Sequence, residues 1–144
     1  MKATCLPYKR ILVPYDGSAA SDRGLQEAIV LAARFKAEVQ LLTVLDTFPP
    51  RREQMRLSVE KARGVVAARG VTSEVRLYEG MYGALVDFLA RAATEWPADL
   101  VVIGTHGQQR HTHLIMGSDA DSVTRASPVP VLVVPPPRDH AGLT

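Results

Sequence analysis

The chain has 144 residues, of which 47% are hydrophobic and 22% charged, as is typical of one soluble globular domain. Its formal net charge of +2 is too small to indicate a nucleic-acid-binding protein or one that binds anionic membranes. A single cysteine, Cys5, rules out an internal disulfide, and no segment has the apolar length of a transmembrane helix or a signal peptide. We therefore expect a cytoplasmic protein.

Short apolar runs alternate with helical repeats along the whole chain. Each run is closed by a turn, which predicts five strands at residues 11–13, 39–45, 75–77, 100–103 and 131–134. Between them, apolar residues recur three or four positions apart, which predicts four helices. The helices follow Ser18, Pro50, Gly83 and Ser118 in chain order, and the two serines can cap their helices.

This alternation predicts a parallel sheet with helices on both faces. The third run alternates apolar and charged residues, which favours a half-exposed edge strand, whereas the other four runs are apolar on both faces. We therefore expect a single α/β domain with an open five-stranded sheet in the order 3-2-1-4-5. Ligands of such sheets bind beyond the carboxyl ends of the strands where the order reverses, here at residues 14–18 and 104–118.

The predicted domain spans residues 9–135, between an N-terminal extension at residues 1–8 and a flexible tail at residues 136–144. The strand order leaves the segment Val131–Val134 at an edge, and this segment carries no charge and no proline. Because a bare apolar edge tends to associate, we predict a homodimer through this strand. A tail that covers the edge is the alternative.

A glycine pattern, Gly104-x2-Gly107-x9-Gly117-Ser118, begins where the fourth strand ends. A side chain at Gly104 would block a ligand lying across the sheet edge, and Gly107 lets the loop turn its amides inward. Gly117 lets phosphate oxygens approach the backbone, and Ser118 opens a helix whose free N–H groups favour an anion. The pattern predicts a nucleotide-phosphate site. The alternative is that the glycines only shape a long loop.

Three segments together resemble one protein family. Residues 11–18, ILVPYDGS, resemble the opening of universal stress proteins, and the glycine pattern matches that family's ATP-binding motif at every fixed position. Residues 128–134, PVPVLVV, resemble the family's closing strand. The resemblance extends from about Tyr8 to Pro135.

The resemblance implies a fold related to the adenine nucleotide α-hydrolases, a homodimer, and a site for ATP with Mg²⁺. In members that bind ATP, the turn after strand one and the end of strand two flank the adenosine. The phosphates lie along the loop after strand four and at the next helix start. Carried over to this sequence, the binding residues are Pro14, Asp16, Val44, Gly104, Thr105, His106, Gly107, Gln108, Gln109, Arg110, Gly117, Ser118, Asp119 and Ala120.

The sequence departs from the family pattern at two places. Residues 108–110 read Gln-Gln-Arg, where the family commonly has a basic residue, a small or polar residue and glycine, so the positive charge moves by two positions. Asp119 stands where nucleotide binders often have valine, and a carboxylate there repels a phosphate. For Asp16 two roles stay open, namely contact with the ribose or a phosphate-bound metal, and capping of the turn.

The sequence supports two other kinds of site, a metal site and a nucleic-acid surface, less well. His106, His111 and His113 cluster in the loop, but no nearby cysteine completes a transition-metal set, so we predict no metal site and expect Arg110 and His113 near phosphate. The arginines of the second helix alternate with acidic residues, which is typical of a solvated helix face rather than of a nucleic-acid surface.

These observations predict an ATP-binding universal stress protein that acts as a dimeric, nucleotide-dependent switch or sensor, read by a protein partner that the sequence does not identify. The phosphate loop has no lysine and no Walker pattern, so no catalytic residue is predicted and at most slow ATP hydrolysis is expected. Two alternatives stay open, a slow ATPase and an ATP-independent dimeric stress protein with a weakened pocket.

Overall fold

A computed structural model of the chain describes residues 8–80, 85–105 and 118–137. Strands and helices alternate through these residues. In chain order they are β1 (Arg10–Pro14), α1 (Ala19–Phe35), β2 (Glu38–Leu45), α2 (Pro49–Ala68), β3 (Ser73–Glu79), α3 (Leu85–Glu95), β4 (Leu100–Gly104), α4 (Ser118–Ala126) and β5 (Val131–Val134).

The five strands form one parallel sheet in the order β3-β2-β1-β4-β5. In the central strand β1, Leu12 lies opposite Gln40 of β2 on one side and Val101 of β4 on the other. The sequence order reverses between β1 and β4, so this is the point where connections leave the sheet in opposite directions. The predicted fold class and strand order are both confirmed.

Helices cover the two faces of the sheet in pairs, because successive strand residues point to opposite faces. On one face, Ile11 of β1 packs with Leu25 of α1 and Val59 of α2. On the other face, Leu12 packs with buried residues of α3 and α4, among them Leu89. Three of the four strands that were predicted to be apolar on both faces, β1, β2 and β4, therefore form the centre of a three-layer core. The fourth, β5, lies at the edge of the sheet, where only Val134 is buried.

β3 is longer than the sequence indicated. It pairs with β2 along its whole length, from Ser73 opposite Val39 to Glu79 opposite Leu45. Because this strand lies at the edge of the sheet, its polar end residues stay in contact with solvent while their backbone groups join the ladder. Apolar periodicity detects only the middle of such a strand.

α1 packs against β4 backbone to backbone. A methyl group on Gly24 of α1 would lie 2.8 Å from the backbone nitrogen of Gly104, and a methyl group on Gly104 would overlap the carbonyl oxygen of Ala20. The sequence interpretation explained Gly104 by the space that a ligand needs. The structure adds a second reason, because a side chain at this position would also collide with the backbone of α1.

Gly104→Ala should lower the free energy of unfolding by about 3 kcal/mol or more, because the new methyl group must displace backbone rather than a flexible side chain. Gly64→Ala is the matched control. Gly64 lies inside α2 with nothing within 4 Å of the added methyl group, so this variant should be more stable by about 0.5–1 kcal/mol. Urea denaturation measures both changes, and equal stability of the two variants would contradict the packing account.

Candidate functional site

The turn after β1 is fixed to β2 by its own backbone. The N–H of Tyr15 donates to the carbonyl oxygen of Leu42 at 2.8 Å. The buried hydroxyl of Thr43 donates to the carbonyl oxygen of Tyr15, also at 2.8 Å. The first bond continues the β1–β2 ladder past the last strand residue and the second adds a side-chain contact from β2, so the turn leaves the sheet at a fixed position.

The side chain of Tyr15 fixes the same turn to α1. Its ring is only 7% exposed, and its hydroxyl donates to Asp22 Oδ1 at 2.6 Å. Burial raises the pKa of the Tyr15 phenol well above its usual range, and the hydrogen bond to Asp22 and the negative charges of Asp22 and Asp16 raise the pKa further. The phenol is therefore a permanent hydrogen-bond donor at neutral pH.

Asp16 caps the turn, which is one of the two roles that the sequence left open. Its Oδ1 accepts the N–H of Ser18 at 2.9 Å, while its own N–H donates to Ser21 Oγ at 3.4 Å. Ser18 in turn caps α1, because its hydroxyl oxygen accepts the N–H of Ser21 at 3.1 Å. Within the described part of the chain, Asp16 Oδ2 accepts no hydrogen bond, and the side chain is exposed. That oxygen remains available to a ligand.

Thr105 follows β4 and is buried with its hydroxyl unsatisfied. The residue is only 2% exposed, and its N–H donates to the carbonyl oxygen of Val134 at 3.1 Å. Its Oγ1 has no hydrogen-bond partner among the residues that the structure describes. Burial of a hydroxyl without a partner costs free energy, so such groups in native proteins usually have a ligand, a water or a functional reason.

The start of α4 lies on the same face of the sheet as this hydroxyl. Strand alternation places Thr105 on the face of Ile103, which packs in one cluster with Ala120 and Val123 of α4. The first N–H groups of a helix have no intrahelical partner and favour an anion. α4 begins at Ser118, and Asp119 adds a negative charge in its first turn.

The remaining described residues of the predicted site reach the same edge. Pro14 is the last residue of β1 and lies opposite Leu42, and Val44 is two residues further along β2. Gly104 ends β4 beside them, since β4 is the other neighbour of β1. The structure therefore gathers the described part of the predicted site at the carboxyl edge of β2, β1 and β4.

The rest of the predicted site lies outside the described residues, as does the histidine cluster weighed as a metal site. These residues are His106, Gly107, Gln108, Gln109, Arg110, His111, His113 and Gly117.

An open cleft of about 340 Å³ lies between this turn and the first half of α2. Its lining consists of two turn residues and four helix residues. They are Asp16, Gly17, Arg51, Gln54, Met55 and Ser58. The sequence analysis assigned Arg51 to a solvated helix face and Met55 to the core, and it did not predict that these α2 residues line a cleft. The available signal was their i, i+3, i+4, i+7 spacing, which places a mixed polar and apolar stripe on one helix face.

Comparison with known proteins decides the family. The model of the universal stress protein family matches residues 7–135. The chain belongs to the universal stress protein family. A universal stress protein of Methanocaldococcus jannaschii is 31% identical in an alignment 147 residues long. The alignment covers 91% of this chain and 84% of the relative. The family resemblance seen in the sequence is therefore confirmed.

Solved universal stress proteins share the fold. One from Burkholderia pseudomallei is 31% identical, covers 90% of this chain and 97% of its own, and superposes with a TM-score of 0.73. Another, solved in complex with cAMP, is 30% identical with coverages of 89% and 97% and a TM-score of 0.71.

As for membranes, none of the helices in the described ranges of this family member is both long and apolar enough to span one.

The raised pKa of Tyr15 makes stability fall at alkaline pH. The folded state holds the phenol proton more tightly than the unfolded chain, where the pKa is about 10. Its contribution is therefore complete below about pH 10 and is lost as the pH rises above that value. Tyr15→Phe removes this titration. We expect the variant to be less stable by about 1 kcal/mol at neutral pH. The difference in the free energy of unfolding between the wild type and the variant should narrow in urea denaturation series from about pH 8 to about pH 11. A constant difference would contradict the raised pKa of Tyr15.

Proposed function

We propose that this universal stress protein binds ATP, with Mg²⁺, across the carboxyl edge of β1 and β4 and acts in the cytoplasm as a dimeric nucleotide-dependent switch or sensor. The observation that carries the proposal is the buried hydroxyl of Thr105, which has no partner among the described residues and lies on the face where α4 begins. A phosphate oxygen at the start of α4 would supply the missing acceptor.

Further support comes from the turn after β1. The uncommitted carboxylate oxygen of Asp16 lies at the neighbouring strand end, where it can accept a ribose hydroxyl or hold Mg²⁺. The relative solved with cAMP supports an adenine nucleotide as the ligand class. Under this proposal the carried-over residues outside the described ranges, His106 to Arg110 and Gly117, complete the phosphate contacts.

The acidic first turn of α4 favours the second candidate, a dimeric stress protein that works without ATP. Asp119 and Asp121 both lie in that turn and oppose the approach of a phosphate. Asp121 is, however, paired with Arg125 at 3.2 Å, which reduces its field at the helix start. A slow ATPase is a third candidate, and nucleotide binding is the step that it shares with the leading proposal.

Thr105→Val tests the nucleotide site without disturbing an existing hydrogen bond of the described residues. Replacement of an unsatisfied buried hydroxyl by a methyl group should leave the free energy of unfolding unchanged or slightly higher. The dissociation constant for Mg-ATP in calorimetry should rise about 5- to 15-fold, the equivalent of ~1–1.5 kcal/mol.

The matched control is Thr94→Val on the exposed side of α3, where the hydroxyl donates only to the carbonyl oxygen of Ala90. This variant should bind Mg-ATP like the wild type. Equal affinity of the Thr105 and Thr94 variants would contradict a phosphate contact at Thr105.

The dimer part of the proposal rests on β5. Among the described residues this strand pairs only with β4, so its outer edge carries free backbone groups. Leu132 is 38% exposed there, and the strand carries no charged side chain. The Thr105 N–H that donates to Val134 links the nucleotide site to this edge through one hydrogen bond. Nucleotide binding would therefore stabilise the strand arrangement that a partner copy recognises.

Leu132→Glu should convert the dimer to a monomer, because it would place a charge on each copy at the centre of the contact. Sedimentation velocity measures the oligomeric state, and circular dichroism checks the fold. A monomeric wild type, or a variant that remains dimeric, would contradict a contact through β5.

A further inference from the structure

The outer side of β3, here called the β3 edge, ends the sheet opposite β5. In the described part of the chain β3 pairs only with β2. The carbonyl oxygen of Thr72 accepts the N–H of Val39 at 2.9 Å. At the other end, the N–H of Gly80 donates to the carbonyl oxygen of Leu45 at 3.3 Å. Because successive residues of a strand turn their backbone groups to opposite sides, the odd-numbered residues between these two bonds turn their N–H and C=O groups outward. They are Ser73, Val75, Leu77 and Glu79.

Two opposite charges lie on one face of β3, and residues of the same chain hold both of them. Glu74 Oε2 accepts a hydrogen bond at 2.7 Å from the amide nitrogen of Gln40, which is completely buried. That bond is the only one that the Gln40 amide makes among the described residues. The Arg76 guanidinium donates to Glu95 Oε1, also at 2.7 Å. The carboxylate and the guanidinium are therefore oriented before any partner binds, which lowers the entropy cost of a further contact.

An antiparallel copy of β3 that is centred on Val75 satisfies the backbone and the charges together. Val75 then lies opposite the same residue of the second copy, and Ser73 lies opposite Leu77, so the outward N–H and C=O groups meet in hydrogen-bonded pairs. Glu74 lies opposite Arg76 of the second copy, in the kind of pair whose side chains come closest. A centre at Glu74 or at Arg76 would instead place two like charges opposite each other.

We propose that a second copy of the chain pairs with the β3 edge in this register, in a contact separate from the one through β5. The pairing also covers the side chain of Leu77, which is 37% exposed. Because exposed ion pairs contribute little, this contact is weaker than one through the apolar β5 and forms at high protein concentration. Twofold contacts at both edges of one sheet link dimers into larger assemblies. The inference does not depend on the nucleotide site.

Disulfide trapping tests the contact and its register in a chain whose own cysteine, Cys5, is replaced by serine. The two Cα atoms at position 75 would lie about 5.5 Å apart, which suits a disulfide. Val75→Cys should therefore give covalent dimers on mild oxidation, faster at higher protein concentration. Ser73→Cys is the matched control, because the two copies of residue 73 would lie about 14 Å apart. Equal cross-linking of the two variants would overturn the register.

Charge reversal tests the ion pairs in the same Val75→Cys chain. Glu74→Arg places like charges opposite each other at both ends of the contact, so the rate of disulfide formation should fall about five- to tenfold. Glu53→Arg makes the same change of charge on the exposed side of α2, away from the β3 edge, and should leave the rate unchanged. Equal rates in these two variants would overturn the charge pairing.

Amide hydrogen exchange measures the contact without any new cysteine. Exchange at Val75 and Leu77 should slow as the protein concentration rises, because the contact gives both N–H groups an acceptor. It should also slow in the Leu132→Glu chain, since β5 takes no part. Exchange that does not change with concentration would overturn the proposal and leave Glu74 and Arg76 as charges that keep other strands away from the edge.

Discussion

The contact between α1 and β4 is the constraint on which the site depends. Gly24 and Gly104 remove the side chains at the crossing, so the helix backbone lies directly against the strand backbone. Parallel pairing of β1 with β4 brings the turn that follows β1 and the residue that follows β4 to the same edge of the sheet, and the α1–β4 contact fixes the start of α1 there. This close approach holds the start of α1, at Ala20, against Gly104, the residue before Thr105.

The fold could be predicted from the sequence because its signals are local and periodic. Buried parallel strands such as β4 read as short apolar runs, and Ser18 marks a helix start through its own side chain. The ends of β3 were missed, since Ser73 and Glu79 are polar residues whose strand conformation comes from pairing with β2. The packing role of Gly104 was also missed, because nothing local reveals that Ala20 of α1 packs against it.

The site could be predicted only where a residue type and its place after a strand carry the signal. Pro14, Asp16 and Thr105 lie at the expected edge. Three features of the site depend on tertiary packing, which one sequence does not encode locally. They are the bond from Thr43 to the turn, the burial of Tyr15, and the cleft between the β1–α1 turn and α2. The α2 arginines were correctly taken as mostly solvent-facing, and Arg51, which lines the cleft, forms an exposed ion pair with Asp46.

The central claim is that the edge formed by β1 and β4 holds an adenine nucleotide. The most direct measurement is to purify the protein without added nucleotide, denature it, and identify any released small molecule by mass spectrometry, followed by titration of the stripped protein with Mg-ATP. The account predicts a co-purified adenine nucleotide, or saturable binding of Mg-ATP in the micromolar range. An empty protein that takes up no Mg-ATP at millimolar concentration would contradict it and favour the ATP-independent alternative, with Asp119 as the physical reason.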